Sequence, residues 1–242
     1  VEYTTLLFIP SHAPFDFYQR ESTSGIRLYS KNVFVMDNYQ DLLPEYLRFV
    51  RGLVDSPDFS LNISRELLQH SSQLKKIGKN LEKTIFKTLE KMLSKDRAKY
   101  KTFWQEYGKA IKNGVYTDFA NREKLQDLLL LPSSHSAEDF TTLSEYIGRM
   151  PESQTVIYYA AGKDRSSVER LPQMELLREK GLEVLYLFDR VDEFAIDSMR
   201  EYKEKKFHSI SRGELKLQEL ESPAAKKDSE AVAKENEALI QA

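Results

Sequence analysis

One arginine stands where the electrostatics of its own predicted helix oppose it, and this position is the strongest indication of chemistry in the sequence. Ser64 is a good N-cap, because its hydroxyl can accept a hydrogen bond from a free backbone N–H of the first turn. Arg65 then occupies the first helical position, where the positive end of the helix dipole disfavours a cation by roughly 0.3–1 kcal/mol. A residue that breaks such a local rule without visible compensation is a candidate for function.

The apolar residues that follow would hold this helix by one face. They recur at helical spacing along residues 64–94, at Leu67, Leu74, Ile77, Leu81, Ile85, Leu89 and Met92. At about 100° per residue, Arg65, Gln69 and Asn62 fall within about 60° of one another, and the apolar stripe lies roughly opposite Arg65. Two interpretations stay open: a solvated polar face, or an anion-contacting arginine supported by two neutral donors, a grouping suited to phosphate oxygens.

Further motifs stand in order along the chain and, with the stretch from Leu61 to Gln69, carry a resemblance. They are Phe8-Ile9-Pro10 with Ala13-Pro14-Phe15-Asp16, Leu43-Pro44-Glu45-Tyr46-Leu47 with Val50-Arg51-Gly52-Leu53-Val54-Asp55-Ser56, Arg149-Met150-Pro151-Glu152 with Ile157-Tyr158-Tyr159, and Glu183-Val184-Leu185 with Asp192-Glu193. Over about residues 1–217 the chain thus resembles the middle domain of the heat-shock protein 90 (Hsp90) molecular chaperone family, bacterial HtpG type. Several ordered motifs at a family's spacing are more specific than any one of them.

The resemblance implies an α/β (α+β) fold of two three-layer αβα parts joined by a small helical coil. The larger part would be similar to ribosomal protein S5 domain 2. We place this larger part, with the arginine loop, at residues 1–120, the helical connector at 121–150 and the smaller part at 151–217. Residues 218–242 have few apolar groups to bury and are expected to be a linker. In the family, such a linker leads to a C-terminal dimerisation domain.

Hydrophobic periodicity predicts the individual elements. Strands are expected at residues 3–9, 26–36, 155–161, 182–188 and 207–210, with a loop at 133–137. Helices are expected at residues 43–54, 64–94, 100–112, 121–131, 138–148, 172–180 and 194–205. Asn113 and Gly114 are expected to end the helix that begins at residue 100. The strand–helix–strand order between residues 155 and 188 predicts two parallel strands joined by a right-handed crossover.

In the Hsp90 family an N-terminal domain binds ATP with Mg²⁺, and the middle domain supplies an arginine that reaches the γ-phosphate. By motif, the resemblance assigns this role to Arg65, with Gln69 supporting it one turn further on and Asn62 shaping the loop. It also implies that Phe15 helps to dock this domain against the nucleotide domain, and that a broad surface binds non-native client proteins. The full-length protein would be a cytoplasmic, homodimeric ATPase, whereas this chain alone would be inactive and monomeric.

The composition excludes several classes of protein. The 36 basic and 38 acidic residues balance one another, which gives no reason to expect nucleic acid or an acidic membrane as a partner. The chain has no cysteine, so disulfides and thiolate metal sites are excluded and a reducing cytosol fits. No apolar run approaches the roughly 20 residues that span a bilayer. Because Val1-Glu2-Tyr3 is neither a natural start nor a signal peptide, we expect a piece of a longer protein.

Other groups with chemical potential have simpler interpretations. Gly162-Lys163-Asp164 lacks the earlier glycine and the final Ser or Thr of a phosphate loop, so we expect a strand-to-helix turn. The 4 histidines are scattered, and their spacing predicts no metal site. Asp189, Asp192 and Glu193 follow a predicted strand, where magnesium or acid/base chemistry is one interpretation. The alternative makes Asp192 the N-cap of the next helix, with Glu193 in its first turn.

Trp104 is expected to pack between layers, since tryptophan is highly buried on average, and an exposed platform for client proteins is the alternative. Two other functions also stay open for the chain. It could be a pure protein-interaction module in which Arg65 is merely salt-bridged. It could also resemble the transducer domain of a related DNA-acting ATPase, but those use a lysine for the phosphate contact, and the balanced charge and the Arg65 motif count against them.

Overall fold

A computed structural model describes residues 2–19, 25–39, 42–59 and 72–211 of the chain. The chain divides into two compact units, the first made of Val1–Leu130 and Val191–Met199, the second of Leu131–Arg190 and Arg200–Ala242. Each unit contains a β-sheet together with helices, so the expected α/β class is confirmed. The domain limits at residues 120, 150 and 217 stay a prediction.

The first unit is built on four described strands, β1 (Thr4–Phe8), β2 (Ile26–Ser30), β3 (Val33–Tyr39) and β4 (Arg51–Asp55), in the order β1-β4-β2-β3. β1 is antiparallel to β4, and β4 is parallel to β2. Lys31 and Asn32 connect β2 to β3 with positive φ values of 51° and 65°, the backbone that a tight hairpin turn requires. The single strand predicted at residues 26–36 is therefore two strands.

The helix predicted at residues 43–54 is wrong. The chain there forms only a short 3₁₀ turn, Glu45–Leu47, and then enters β4. Because β4 lies between β1 and β2, pairing on both sides outweighs the local pattern. Gly52 permits this pairing, since its φ is +146° and a Cβ at this position would lie 2.0 Å from the Leu6 carbonyl oxygen.

Two long helices, α1 (Ser72–Lys95) and α2 (Arg97–Thr117), follow in the first unit. Asp96 separates them and caps α2, because its carboxylate accepts the backbone N–H of Lys99 at 3.1 Å. The predicted apolar stripe is confirmed in the described part of the helix, where the buried side chains include Leu74, Ile77, Leu81, Ile85 and Leu89.

The helices after α1 differ from their predicted limits. Asn113 and Gly114 do not end α2, which continues to Thr117. Gly114 is buried, and a Cβ at this position would lie 2.8 Å from the ring of Tyr46. This glycine therefore allows a close approach and does not stop the helix. The next helix, α3 (Arg122–Asp127), is shorter than predicted, because Leu131 already belongs to a strand.

The second unit has a sheet with the strand order β6-β5-β8-β7-β10-β9. Its strands are β5 (Leu131–Ser133), β6 (Ser136–Thr141), β7 (Val156–Ala161), β8 (Val184–Leu187), β9 (Glu201–Tyr202) and β10 (Lys205–Ser209). Four helices lie between them in sequence, α4 (Leu143–Arg149), α5 (Arg165–Glu169), α6 (Pro172–Glu179) and α7 (Arg190–Met199), and α7 belongs to the first unit from Val191 onward. The predicted strand–helix–strand unit is confirmed, since β7 and β8 are parallel and α5 and α6 connect them.

Two predictions near this sheet are wrong at their limits. Residues 136–141 are not helical but pair with β5 as β6, and α4 begins only at Leu143, where Thr142 and Glu145 form a capping box. The helix predicted at residues 194–205 is α7, which begins at Arg190 and ends at Met199. Arg200 stops it with a φ of +61°, and the chain then forms the β9–β10 hairpin.

Candidate functional site

The predicted phosphate-contacting group, Arg65 with Gln69 and Asn62, lies outside the described residues. The structure does describe the chain on both sides, up to Phe59 and again from Ser72. The geometry of these two flanks shows how the segment with Arg65 is attached to the fold.

The flank before Arg65 is fixed by buried hydrogen bonds after β4. The Ser30 hydroxyl, 1% exposed, donates to the carbonyl oxygen of Phe59 at 2.6 Å. The Ser56 hydroxyl donates to the carbonyl oxygen of Glu2 at 2.7 Å, and the Ser56 N–H donates to the carbonyl oxygen of Tyr29 at 3.1 Å. Loss of such a donor would leave a buried carbonyl unsatisfied and lower the free energy of unfolding by about 1–3 kcal/mol. These bonds therefore hold the chain firmly up to Phe59.

The flank after Arg65 is fixed in the same core. Leu74 and Ile77 of α1 belong to one cluster of buried residues with Phe59, Leu42 and Val54. α1 also lies close to the backbone of Leu42, whose carbonyl oxygen would be 2.4 Å from a Cβ at Gly78. Both ends of the segment from residue 60 to 71 are therefore anchored in one hydrophobic core.

Phe15, the predicted docking residue, lies fully exposed on a turn. Its side chain is 100% exposed, whereas Phe17, two residues further on, is 1% exposed. The turn is closed by backbone hydrogen bonds from the N–H of Phe17 to the carbonyl oxygen of Pro14 and from that of Gln19 to Asp16, both 2.9 Å. An isolated exposed aromatic ring on an ordered turn is suited to contact a partner surface.

This turn is held to α2 by one glutamate. The Glu106 carboxylate accepts the backbone N–H of Ala13 at 2.8 Å and lies 3.4 Å from Nδ1 of His12. The hydrogen bond from Ala13, and then the contact with His12, hold the pKa of the Glu106 carboxyl below its usual range. The Tyr18 hydroxyl donates to the Glu106 carbonyl oxygen at 2.7 Å, and burial raises the pKa of Tyr18 to about 12.

Aromatic contacts support the same turn from beneath. The ring of Phe17 packs edge-on against Tyr107, with 5.2 Å between centroids, and the guanidinium of Arg48 lies 4.8 Å from the Phe17 centroid. The Tyr107 hydroxyl donates to the carbonyl oxygen of Pro10 at 3.0 Å. Sequence reasoning missed Glu106 and Arg48, because 93 residues separate Ala13 from Glu106 and no spacing rule connects them.

Trp104 is 6% exposed and packs against Tyr100 on α2, with 6.4 Å between ring centroids. This burial agrees with the packing interpretation, and a platform for client proteins would need the indole at the surface.

Asp192 is 4% exposed and forms an ion pair with Lys112, whose ammonium lies 5.5 Å from the Trp104 ring. Its prediction as an N-cap is wrong, because α7 already begins at Arg190 and Asp192 lies within it.

The turn predicted at Gly162-Lys163-Asp164 is confirmed. β7 ends at Ala161, and Asp164 caps α5 by accepting the backbone N–H of Ser167 at 2.8 Å. This hydrogen bond lowers the pKa of Asp164. Within the described residues, no group of three His, Asp or Glu side chains is placed to hold a metal ion.

A groove of about 580 Å³ opens between β1, α1 and α2 of the first unit. Among the described residues that line it, Lys99 is the one charged side chain. Four threonines also line it, but each hydroxyl donates to a backbone carbonyl: Thr5 to Leu53, Thr84 to Asn80, Thr88 to Thr84 and Thr102 to Ala98. The groove therefore offers few free donors to the oxygens of a nucleotide.

Comparison with known proteins defines the class of this fold. A family model described as Hsp90 protein matches residues 1–242, and the chain therefore belongs to the Hsp90 family. The middle domain of a heat shock protein from Plasmodium falciparum has the same fold, with a TM-score of 0.76 and 29% identity over 86% of this chain and 82% of that one. Both the expected family and the expected fold are confirmed.

Two relatives with similar sequences come from bacteria. Chaperone protein HtpG of Nocardia farcinica is 48% identical over 232 residues, which are 96% of this chain and 35% of the relative. Chaperone protein HtpG of Clostridium acetobutylicum is 50% identical over 231 residues, 95% of this chain and 37% of the relative. The chain thus spans a little over a third of the length of these relatives. Among the described residues, no helix is long and apolar enough to cross a membrane.

Proposed function

We propose that this chain is the part of an ATP-dependent chaperone that completes the ATPase site of an N-terminal domain. Arg65 would contact the γ-phosphate of ATP, whose Mg²⁺ complex is bound mainly by that other domain. The observation that carries the proposal is the double anchoring of residues 60–71, because Phe59 before the segment and Leu74 after it share one core. A segment whose two flanks are fixed in one core loses less entropy when its arginine is positioned than a segment with a free end would.

Each residue of the group has a defined part in this proposal. Arg65 would stabilise the charge that develops on the terminal phosphate, as arginine fingers do. Gln69 would support the guanidinium, and Asn62 would shape the loop and add a donor. Phe15 would dock against the nucleotide domain, which its full exposure on an anchored turn favours.

The proposal extends to the partners of the whole protein. The chain would continue into a C-terminal dimerisation domain, act as a homodimer in the cytoplasm, and bind non-native client proteins over a broad surface. Family membership and the HtpG relatives support this set of partners. They also favour a chaperone over the transducer domain of a DNA-acting ATPase. A pure interaction module without a part in hydrolysis is the competing function, and it would not depend on Arg65.

Calorimetry tests whether the nucleotide site belongs to another domain. ATP with Mg²⁺ titrated into the 242-residue chain should give no micromolar binding and no hydrolysis. The reason is that the groove of the first unit has a mostly apolar lining whose threonine hydroxyls are already bonded. Micromolar affinity of the chain alone for ATP would contradict the proposal that another domain binds the nucleotide.

A further inference from the structure

The turn that presents Phe15 is tied on both sides to one residue of α2, Glu106. On the N-terminal side of Phe15, the Glu106 carboxylate accepts the backbone N–H of Ala13 at 2.8 Å, and its other oxygen lies 3.4 Å from Nδ1 of His12. On the C-terminal side, the Tyr18 hydroxyl donates to the Glu106 carbonyl oxygen at 2.7 Å. Phe15 therefore lies between two hydrogen bonds that end on the same residue.

The hydrogen bond to Ala13 is the one that depends on the identity of residue 106. Any residue there would offer its carbonyl oxygen to Tyr18, whereas Ala13 needs a side-chain acceptor that reaches the turn. Glu106 is the one acidic residue of α2. The hydrogen bond from Ala13, and then the contact with His12, lower the pKa of Glu106, so the acceptor is ionised at neutral pH. A bond to a charged acceptor is stronger than one between neutral groups.

Phe15 contributes nothing to the attachment of its own turn, because its ring is 100% exposed. The backbone hydrogen bonds inside the turn shape it but do not attach it to α2. Attachment comes from Phe17, whose ring packs against Tyr107, and from Glu106 at the side. A ring on an attached turn loses less conformational entropy on docking than a ring on a loose one.

We propose that Glu106 is a positioning residue for ATP hydrolysis, because it fixes the turn from which Phe15 docks against the nucleotide-binding domain. The inference rests on the proposed function, in which this docking completes the ATPase site. Glu106 acts only through Phe15 and makes no contact with the nucleotide. Its removal should therefore lower the rate of hydrolysis at saturating ATP and leave the ATP affinity unchanged, since another domain binds the nucleotide.

Rates of ATP hydrolysis by the full-length protein test this role. Glu106→Ala should be about 3–10-fold slower at saturating ATP, the effect of losing one hydrogen bond that holds the docked state. Glu106→Gln should stay within about twofold of the normal rate, since its carboxamide oxygen can still accept the Ala13 N–H. The matched control Glu90→Ala removes the same charge from an exposed position of α1 and should hydrolyse ATP at the normal rate.

The double variant Phe15→Ala, Glu106→Ala distinguishes positioning from a general loss of stability. If Glu106 acts through Phe15, the double variant should hydrolyse ATP as fast as Phe15→Ala alone. A further loss of about threefold or more in the double variant would overturn the positioning role. So would a loss in Glu106→Gln as large as that in Glu106→Ala.

Hydrogen exchange on the 242-residue chain reports on the turn itself, independently of hydrolysis. The N–H groups of Phe17 and Gln19, which close the turn, should exchange at least about threefold faster in Glu106→Ala and at the normal rate in Glu90→Ala. Unchanged exchange in Glu106→Ala would overturn the inference.

Two results separate this inference from the proposed function. Normal hydrolysis in Phe15→Ala would overturn the docking role of Phe15 and, with it, the role of Glu106. Slow hydrolysis in Phe15→Ala together with normal hydrolysis in Glu106→Ala would overturn the role of Glu106 alone.

Discussion

At the scale of single residues, Phe15 shows how a side chain without any packing role can be fixed in space. Its own ring touches nothing, but the turn beneath it is held by Glu106, Phe17 and Tyr107. The sequence could indicate Phe15 through its motif, whereas its support by Glu106 depends on a contact across 93 residues. A local pattern contains no information about such a contact.

Phe15→Ala in the full-length protein should therefore slow ATP hydrolysis by about 10–10²-fold. Burial of one phenylalanine against a docked domain is worth about 1.5–3 kcal/mol, and the closed state would lose this contribution. The melting temperature of the present chain should not change, because the ring is 100% exposed. Phe119→Ala removes another exposed ring of the first unit, 75% exposed, and is the control. If Phe15→Ala hydrolyses ATP as fast as Phe119→Ala, Phe15 does not belong to the docking surface.

At the scale of elements, the predictions succeed where one residue pattern decides the structure. The apolar stripe of α1 and the parallel pair of β7 and β8 with its two helices follow from periodicity and element order. They fail where distant pairing decides it. The predicted helices include residues 51–54 and 138–141, but these residues belong to the strands β4 and β6, because partner strands lie beside them.

The anchoring of the arginine segment also belongs to this scale, and Ser30→Ala tests it. The change leaves the Phe59 carbonyl oxygen buried without its donor, which costs about 1–3 kcal/mol. We expect the melting temperature of the chain to fall by about 3–10 °C. ATP hydrolysis by the full-length protein should fall as well, because residues 60–71 lose one of their two anchors.

Ser94→Ala provides the comparison for Ser30→Ala. The Ser94 hydroxyl is exposed and donates only to the Lys91 carbonyl oxygen of its own helix. Its removal should leave both stability and hydrolysis nearly unchanged. If Ser30→Ala hydrolyses ATP at the normal rate in spite of a lowered melting temperature, then the flank before Arg65 does not position the arginine.

At the scale of the whole molecule, the two units should not depend on the segment after residue 217. This prediction rests on the sequence, since these residues lie outside the described part of the chain. Leu220, Val232, Leu239 and Ile240 are the sizeable apolar groups there, too few to offset the entropy of ordering. Truncation at Leu217 should lower the melting temperature by less than about 5 °C and leave the solution mass that of a monomer. A larger fall, or loss of a dimer, would reveal a packed or associating tail.

The central claim is that Arg65 acts on the transition state of ATP hydrolysis in the full-length protein, and measuring hydrolysis rate and ATP affinity together tests it most directly. Arg65→Ala should slow hydrolysis about 10²–10³-fold with little change in ATP affinity, because the contact matures as charge develops. Arg65→Lys should also be slow, since a point charge cannot replace the planar fork. The control Arg170→Ala removes an arginine that, within the described part of the chain, donates a hydrogen bond only to the Ser166 carbonyl oxygen, and it should hydrolyse ATP at the normal rate. Unchanged hydrolysis in Arg65→Ala would contradict the account.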